Sequence, residues 1–106
     1  MANTNYYGLH GKLSAQAGKG EALASILLEA AALMEKAPGC HLYVVGRQAD
    51  TPDDIWVSEI WDTKDAHDQS LGLPGVKELI SQAMPLLAGP PTKGQELDIF
   101  GGHGVG

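Results

Sequence analysis

Cysteine is nearly missing from this sequence of 106 residues: Cys40 stands alone. No disulfide can close within the chain and no four-thiolate zinc site can be assembled, so packing must supply the stability. Positive charge is also scarce. Seven Lys and Arg face thirteen Asp and Glu, a formal net charge of -6, and the cations are scattered rather than clustered. Such a surface repels a phosphate backbone, which excludes nucleic acid as an expected partner. No apolar run approaches the roughly 20 residues that span a bilayer, so no membrane partner is expected. The first residues, "MANTNYYGLHG", lack a basic patch followed by an apolar core and do not read as a secretory signal. A cytoplasmic protein is the expectation. Close histidine pairs of the H-x-x-x-H kind are missing among His10, His41, His67 and His103, which argues against a metal site. The glycine clusters match no phosphate-binding loop, so no nucleotide cofactor is expected either.

What is present is 43% hydrophobic and 19% charged, the balance of a globular chain, and the length suits one domain. We expect that domain over residues 1–106, with a core at about 6–100 and a flexible glycine-rich tail at 101–106. Tyr6 to Ser14 alternates with a period of two and reads as a strand. Leu23, Ile26, Leu27, Ala30 and Met34 recur on one helical face, predicting a helix from Glu21 to Lys36 that Pro38 and Gly39 stop. Cys40 to Gln48 and Asp54 to Trp61 are β-branched and aromatic, with turn residues "ADTPD" between them, and predict a hairpin. Asp62 or Thr63 can cap a short helix running to about Leu71. Val76, Leu79, Ile80, Ala83 and Leu87 give another helical stripe, which Pro85 distorts, and Glu96 to Phe100 predicts a last strand.

This order predicts an α+β, ferredoxin-like split βαβ fold: a four-stranded antiparallel sheet with helices on one face. The second strand alternates Cys40, Leu42 and Val44 against Tyr43 and Val45, apolar on both sides. A sheet covered by helices on one side would then expose apolar surface on the other, so a sheet-to-sheet homodimer is expected.

Several residues can carry chemistry. Glu59 is a carboxylate in an apolar strand, where burial raises its pKa towards that of a useful general base; it can equally be a strand-end residue bonded to backbone or lysine. Trp61 falls on the same face, as core or as pocket lining. His67 lies one turn before Ser70 and is matched to proton transfer near neutrality, or is simply solvated. Tyr43 can point its phenol into the same space or pack as a ring. Cys40 has no evident activating partner and reads as a small buried hydrophobe.

The segments "APGCHLYVV", "WVSEIWDTKDAHDQSL" and "PLLAGPP", in this order and spacing, resemble the antibiotic biosynthesis monooxygenase domain family across about Tyr7 to Phe100. The resemblance implies a dimeric α/β barrel. It also implies oxidation of a small phenolic or quinol-type aromatic by molecular oxygen, without metal, flavin or haem. Trp61, Tyr43, Leu9, Gly11, Leu13 and Ser70 would then contact the substrate, with Glu59 and His67 handling the proton. Many relatives carry a histidine at the place aligned with Ser70, whereas here it is His67, one turn earlier. The haem-degrading branch places an asparagine and a histidine where this chain has Gly11 and Ile80, which disfavours haem. Other activities on the fold are a proton-transfer isomerase or lyase acting on a small oxygenated metabolite, and non-enzymatic ligand binding.

Overall fold

A computed structural model describes residues 5–105; residues 1–4 and 106, the extreme ends of the expected domain and tail, lie outside the described residues. The elements run β1 (Tyr6–Ser14), α1 (Gly20–Met34), β2 (Cys40–Gln48), β3 (Thr51–Trp61), α2 (Lys64–Ser70), α3 (Val76–Ala83), a 3-10 turn (Met84–Leu86) and β4 (Gln95–Ile99). The sheet is wholly antiparallel in the order β2-β3-β1-β4. With the helices on one face, this is the α+β, ferredoxin-like arrangement that the sequence predicts. No helix among the described residues is long and apolar enough to cross a membrane.

Three local departures from simple patterning shape the molecule. First, α1 ends at Met34, two residues before the predicted Lys36. Pro38 disfavours helical backbone at the residue before it, and the chain unwinds through tighter bonds, Lys36 N–H to Leu33 O and Ala37 N–H to Met34 O.

Second, β3 begins at Thr51 rather than Asp54 and so includes Pro52. Its partner β1 reaches only to Asp54, through Ser14, and the β2 register shifts between Arg47 and Gln48. Pro52 therefore occupies a stretch where its missing donor breaks no regular ladder.

Third, β2 carries a bulge. Cys40 pairs with Trp61 and Leu42 with Ile60, leaving His41 as the extra residue. The bulge reverses the facing of everything before it. Cys40 consequently shares the helix-covered face with Tyr43 and Val45, correcting the strict alternation expected for this strand.

The start of α1 depends on a distant strand. Lys19, at the N-cap position, gives no side-chain cap. Asp53 of β3 supplies it, accepting from the Gly18 N–H at 3.0 Å and the Gly20 N–H at 2.8 Å. Gly20 sits so close to this strand that a Cβ there would run into the Pro52 carbonyl oxygen. Asp53→Ala is expected to cost about 0.5–2 kcal/mol, the range for a lost N-cap, read as a lower urea midpoint at unchanged slope.

The helix-covered face of β3 presents Ile55, Val57, Glu59 and Trp61 in succession. Ile55 and Val57 join Leu23, Leu27 and Leu87 in one buried cluster, and Trp61 joins Met34, Ala37 and Val76 in another. Tyr43 packs against both. The core is thus divided at Glu59, the one ionisable residue among these four.

On the opposite face the cross-strand rows are Leu42, Ile60, Gly8 and Leu97, then Val44, Ser58, His10 and Gln95. Gly8 makes room there, since a Cβ would come within 2.7 Å of the Ile99 side chain. The His10 ring stacks on Trp56 at 4.9 Å. Val44 and Leu97 stand about half exposed on this uncovered face. Residues 102–105 of the glycine-rich end form a turn in which the Val105 N–H bonds the Gly102 carbonyl.

Candidate active site

Where the two core clusters part, the sheet and helices enclose a cavity of about 250 Å³. Leu13, Tyr43 and Glu59 form its sheet side, Leu27 and Met34 of α1 one wall, and Val76 and Ile80 of α3 another. His67 and Ser70 reach it from α2. That helix is positioned directly after β3 by its cap: the Thr63 hydroxyl accepts from the Ala66 N–H at 3.1 Å. One turn later, His67 lies over the end of the strand it has just left.

Glu59 and His67 are brought together. The Glu59 Oε1 accepts from the Trp61 indole Nε1–H at 2.9 Å and lies 3.8 Å from the His67 Nε2. Burial pushes the Glu59 carboxyl above its usual range; the Trp61 hydrogen bond and the His67 charge pull the other way without cancelling it. The other imidazole nitrogen, Nδ1, lies 2.9 Å from the Asp68 Oδ1. Asp68 is held below the usual carboxylate range by Lys64 first and His67 second. As an ionised carboxylate it can only accept, so Nδ1 carries a hydrogen and Nε2 is left facing Glu59.

Aromatic rings confine this imidazole. Tyr7 lies 5.7 Å from it and Trp61 5.8 Å, the latter edge-on. Tyr7 donates its own hydroxyl to Glu96 at 2.9 Å. Burial and that bond, with the surrounding carboxylates, push its phenol up to about 12. Tyr43 is likewise raised, by burial first and the Glu59 charge second. Both phenols therefore remain protonated donors. The Ser70 hydroxyl donates to the His67 carbonyl, a local bond that uses its hydrogen within α2.

The sequence-predicted residues thus fall into three places. Leu13, Tyr43, Glu59, His67 and Ser70 line one cavity. Leu9 and Gly11 line a smaller space of about 160 Å³ that shares Leu13, Tyr43 and Glu59 with the first. Trp61, expected to line the pocket, instead lies wholly buried behind it and reaches the site through its bond to Glu59. Cys40 is partly buried, and burial pushes its thiol up, away from reactivity.

Asp68 and Tyr7 went unsuspected. An acidic neighbour of a histidine is a weak signal, and Tyr7 meets His67 only through the pairing of β1 with β3. Met34 and Ile80 carried the helical stripe that predicts burial, but a stripe does not say whether it meets side chains or a void.

Comparison with known proteins agrees with this architecture. Residues 7–82 match the family model for antibiotic biosynthesis monooxygenase. A Chloroflexus aurantiacus structure provisionally given that family name is 42% identical, covers 95% of this chain and 99% of its own, and superposes with a TM-score of 0.84. A similarly named Caulobacter crescentus protein is 25% identical over 91% of both chains, with a TM-score of 0.80. A conserved Methanosarcina mazei protein shares the fold at 16% identity, with 92% and 95% coverage and a TM-score of 0.80. No curated protein matches the chain.

Proposed function

We propose that this chain, which belongs to the antibiotic biosynthesis monooxygenase family, inserts one atom of molecular oxygen into a small phenolic or quinol-type aromatic. The observation that carries the reading is the Glu59–His67 pair, set into the wall of a largely apolar cavity. An apolar surround holds an aromatic ring and dioxygen together, and a carboxylate raised by burial is a stronger base than one in water.

Substrate hydroxyl ionisation starts the reaction: Glu59 accepts the proton, with the His67 imidazole beside it, its Nε2 3.8 Å from Oε1. The phenolate then gives one electron to dioxygen, and the resulting radical pair combines to form a bond between oxygen and a ring carbon. Returning a proton gives a hydroperoxide. Breaking its O–O bond with loss of the ring C–H proton releases water and leaves a quinone. One dioxygen is consumed per substrate, four electrons leave the aromatic, and one oxygen atom is retained. Tyr43, which lines the cavity and has no hydrogen bond to its hydroxyl among those of the described residues, would donate to the substrate oxygen.

The test is oxygen uptake by purified protein with a phenol or anthrone-like substrate carrying a free ring position. One dioxygen per product and one labelled oxygen atom in that product are expected from isotopically labelled dioxygen. Exchange of a substrate C–H in heavy water without oxygen uptake would favour proton-transfer isomerisation, which the same Glu59–His67 pair could serve. Uptake no faster than in buffer, with no exchange, would leave ligand binding alone.

The uncovered sheet face completes the proposal. Leu42, Val44, Ile60 and Leu97 form an apolar surface of the kind that a second copy would bury, giving a homodimer whose sheets meet face to face. Val44→Lys, at a half-exposed position midway along β2, is expected to convert the dimer to monomer by light scattering. An unchanged mass would place the interface elsewhere.

A further inference from the structure

Polarity in the cavity runs opposite to that of an ordinary surface cleft. Its ionisable groups are sheltered, the Glu59 and His67 side chains being 12% and 16% exposed. Its apolar lining includes three large side chains open to solvent: Leu71 is 46% exposed, Ile80 45% and Met84 48%. Ile80 and Met84 lie one turn apart across the end of α3, and Leu71 follows directly on α2. All three line the same cavity as Glu59, so they form an apolar mouth to a pocket whose polar groups lie inside. A bare phenol would satisfy the interior and leave this mouth wet.

We propose that the ligand of this cavity is an aromatic of one or two rings that bears a short alkyl chain away from its hydroxyl, the chain passing over Leu71, Ile80 and Met84. The inference rests on the reading above for the hydroxyl and adds the alkyl chain. At about 250 Å³ the cavity is smaller than the roughly 300–1,000 Å³ of pockets that enclose drug-sized ligands. Two rings nearly fill it, and one ring leaves space for only a few more atoms, since a cavity of about 150 Å³ already holds benzene, so a longer chain leaves by the mouth. Met84 suits such a role, because an unbranched thioether adapts to chains of different length. Each methylene laid on this surface removes apolar area from water on both sides.

Anaerobic titration calorimetry with phenol, para-propylphenol and para-hexylphenol separates this inference from the reaction, since no oxidation can occur. Affinity is expected to tighten by up to about fourfold per methylene while the chain crosses the mouth. Ile80→Gln, and independently Met84→Gln, are expected to lower the ratio of the hexylphenol to the phenol affinity by about tenfold, with circular dichroism unchanged. Equal affinities along the series, or a ratio unmoved in both variants, would overturn the proposal. So would a change of particle mass on Ile80→Gln, which would make the mouth an interface between copies. A chain-length effect without oxygen uptake under air would leave the alkyl site standing and remove the oxygenase.

Discussion

Glu59→Gln is expected to lower oxygen uptake by about 10²–10⁴-fold, the span of general acid–base contributions, and at the same time to raise the melting temperature near neutral pH. The two effects have one cause. Glu59 is buried and its pKa is raised by that burial, with Trp61 and His67 offsetting only part of the rise. A folded-state pKa above the unfolded one means that the native state binds the proton more tightly. Its favourable contribution is complete below the unfolded value, about pH 4.3 for glutamate, and is lost as pH rises through the folded value. Glutamine cannot ionise, and its amide oxygen can still accept from the Trp61 indole at the position now 2.9 Å away.

The gain in melting temperature should therefore be small near about pH 4 and widen towards neutrality. Calorimetry across that range reads it directly, and a gap that is the same at both ends would contradict the assignment. The acid limb of kcat/KM in the parent should lie above the ordinary carboxylate range, because only ionised Glu59 accepts a proton. A residue kept ionised at a cost in stability is the kind of compromise expected where activity requires it.

Much of this arrangement can be read from the chain, for reasons that differ by element. The bounds of β1 follow from period-two patterning, those of β2 from its β-branched and aromatic content, and α1 follows from an apolar stripe reinforced by alanine and leucine. Glu59 could be singled out because a carboxylate among Ile55, Val57 and Trp61 has to be explained by a partner or a function. Its meeting with His67 could not. That contact depends on how sharply the chain turns at Thr63 and on the angle at which α2 then returns over β3, neither of which period or propensity encodes.

Likewise the bulge at His41 leaves no alternation signal, since Cys40, Leu42 and Tyr43 are apolar whichever way they face. The cap from Asp53 joins residues 33 and 35 positions apart, beyond any local rule. Parity puts Trp61 on the same face as Glu59, and that face is the helix-covered one. Whether it lined the void or lay behind it was decided by Met34, Ala37 and Val76 closing over the indole.

That closure gives Trp61 two separable roles. Trp61→Ala is expected to cost about 3–5 kcal/mol, the range for a large aromatic removed from a core, because the side chain is wholly buried. With about 4–8 °C lost per kcal/mol in a domain of this size, the variant would melt at least about 12 °C lower, and lost activity would then report unfolding rather than chemistry. Trp61→Phe retains most of the packing but removes the Nε1–H that favours ionised Glu59. Its expected signature is a further rise in the Glu59 pKa, seen as an acid limb of kcat/KM moved to higher pH while the plateau rate is largely kept. A pure packing role would leave the pH profile in place and lower only the melting temperature. A lining role would instead raise KM at every pH. The two substitutions together therefore distinguish an indole that fills space from one that sets the charge of its neighbour.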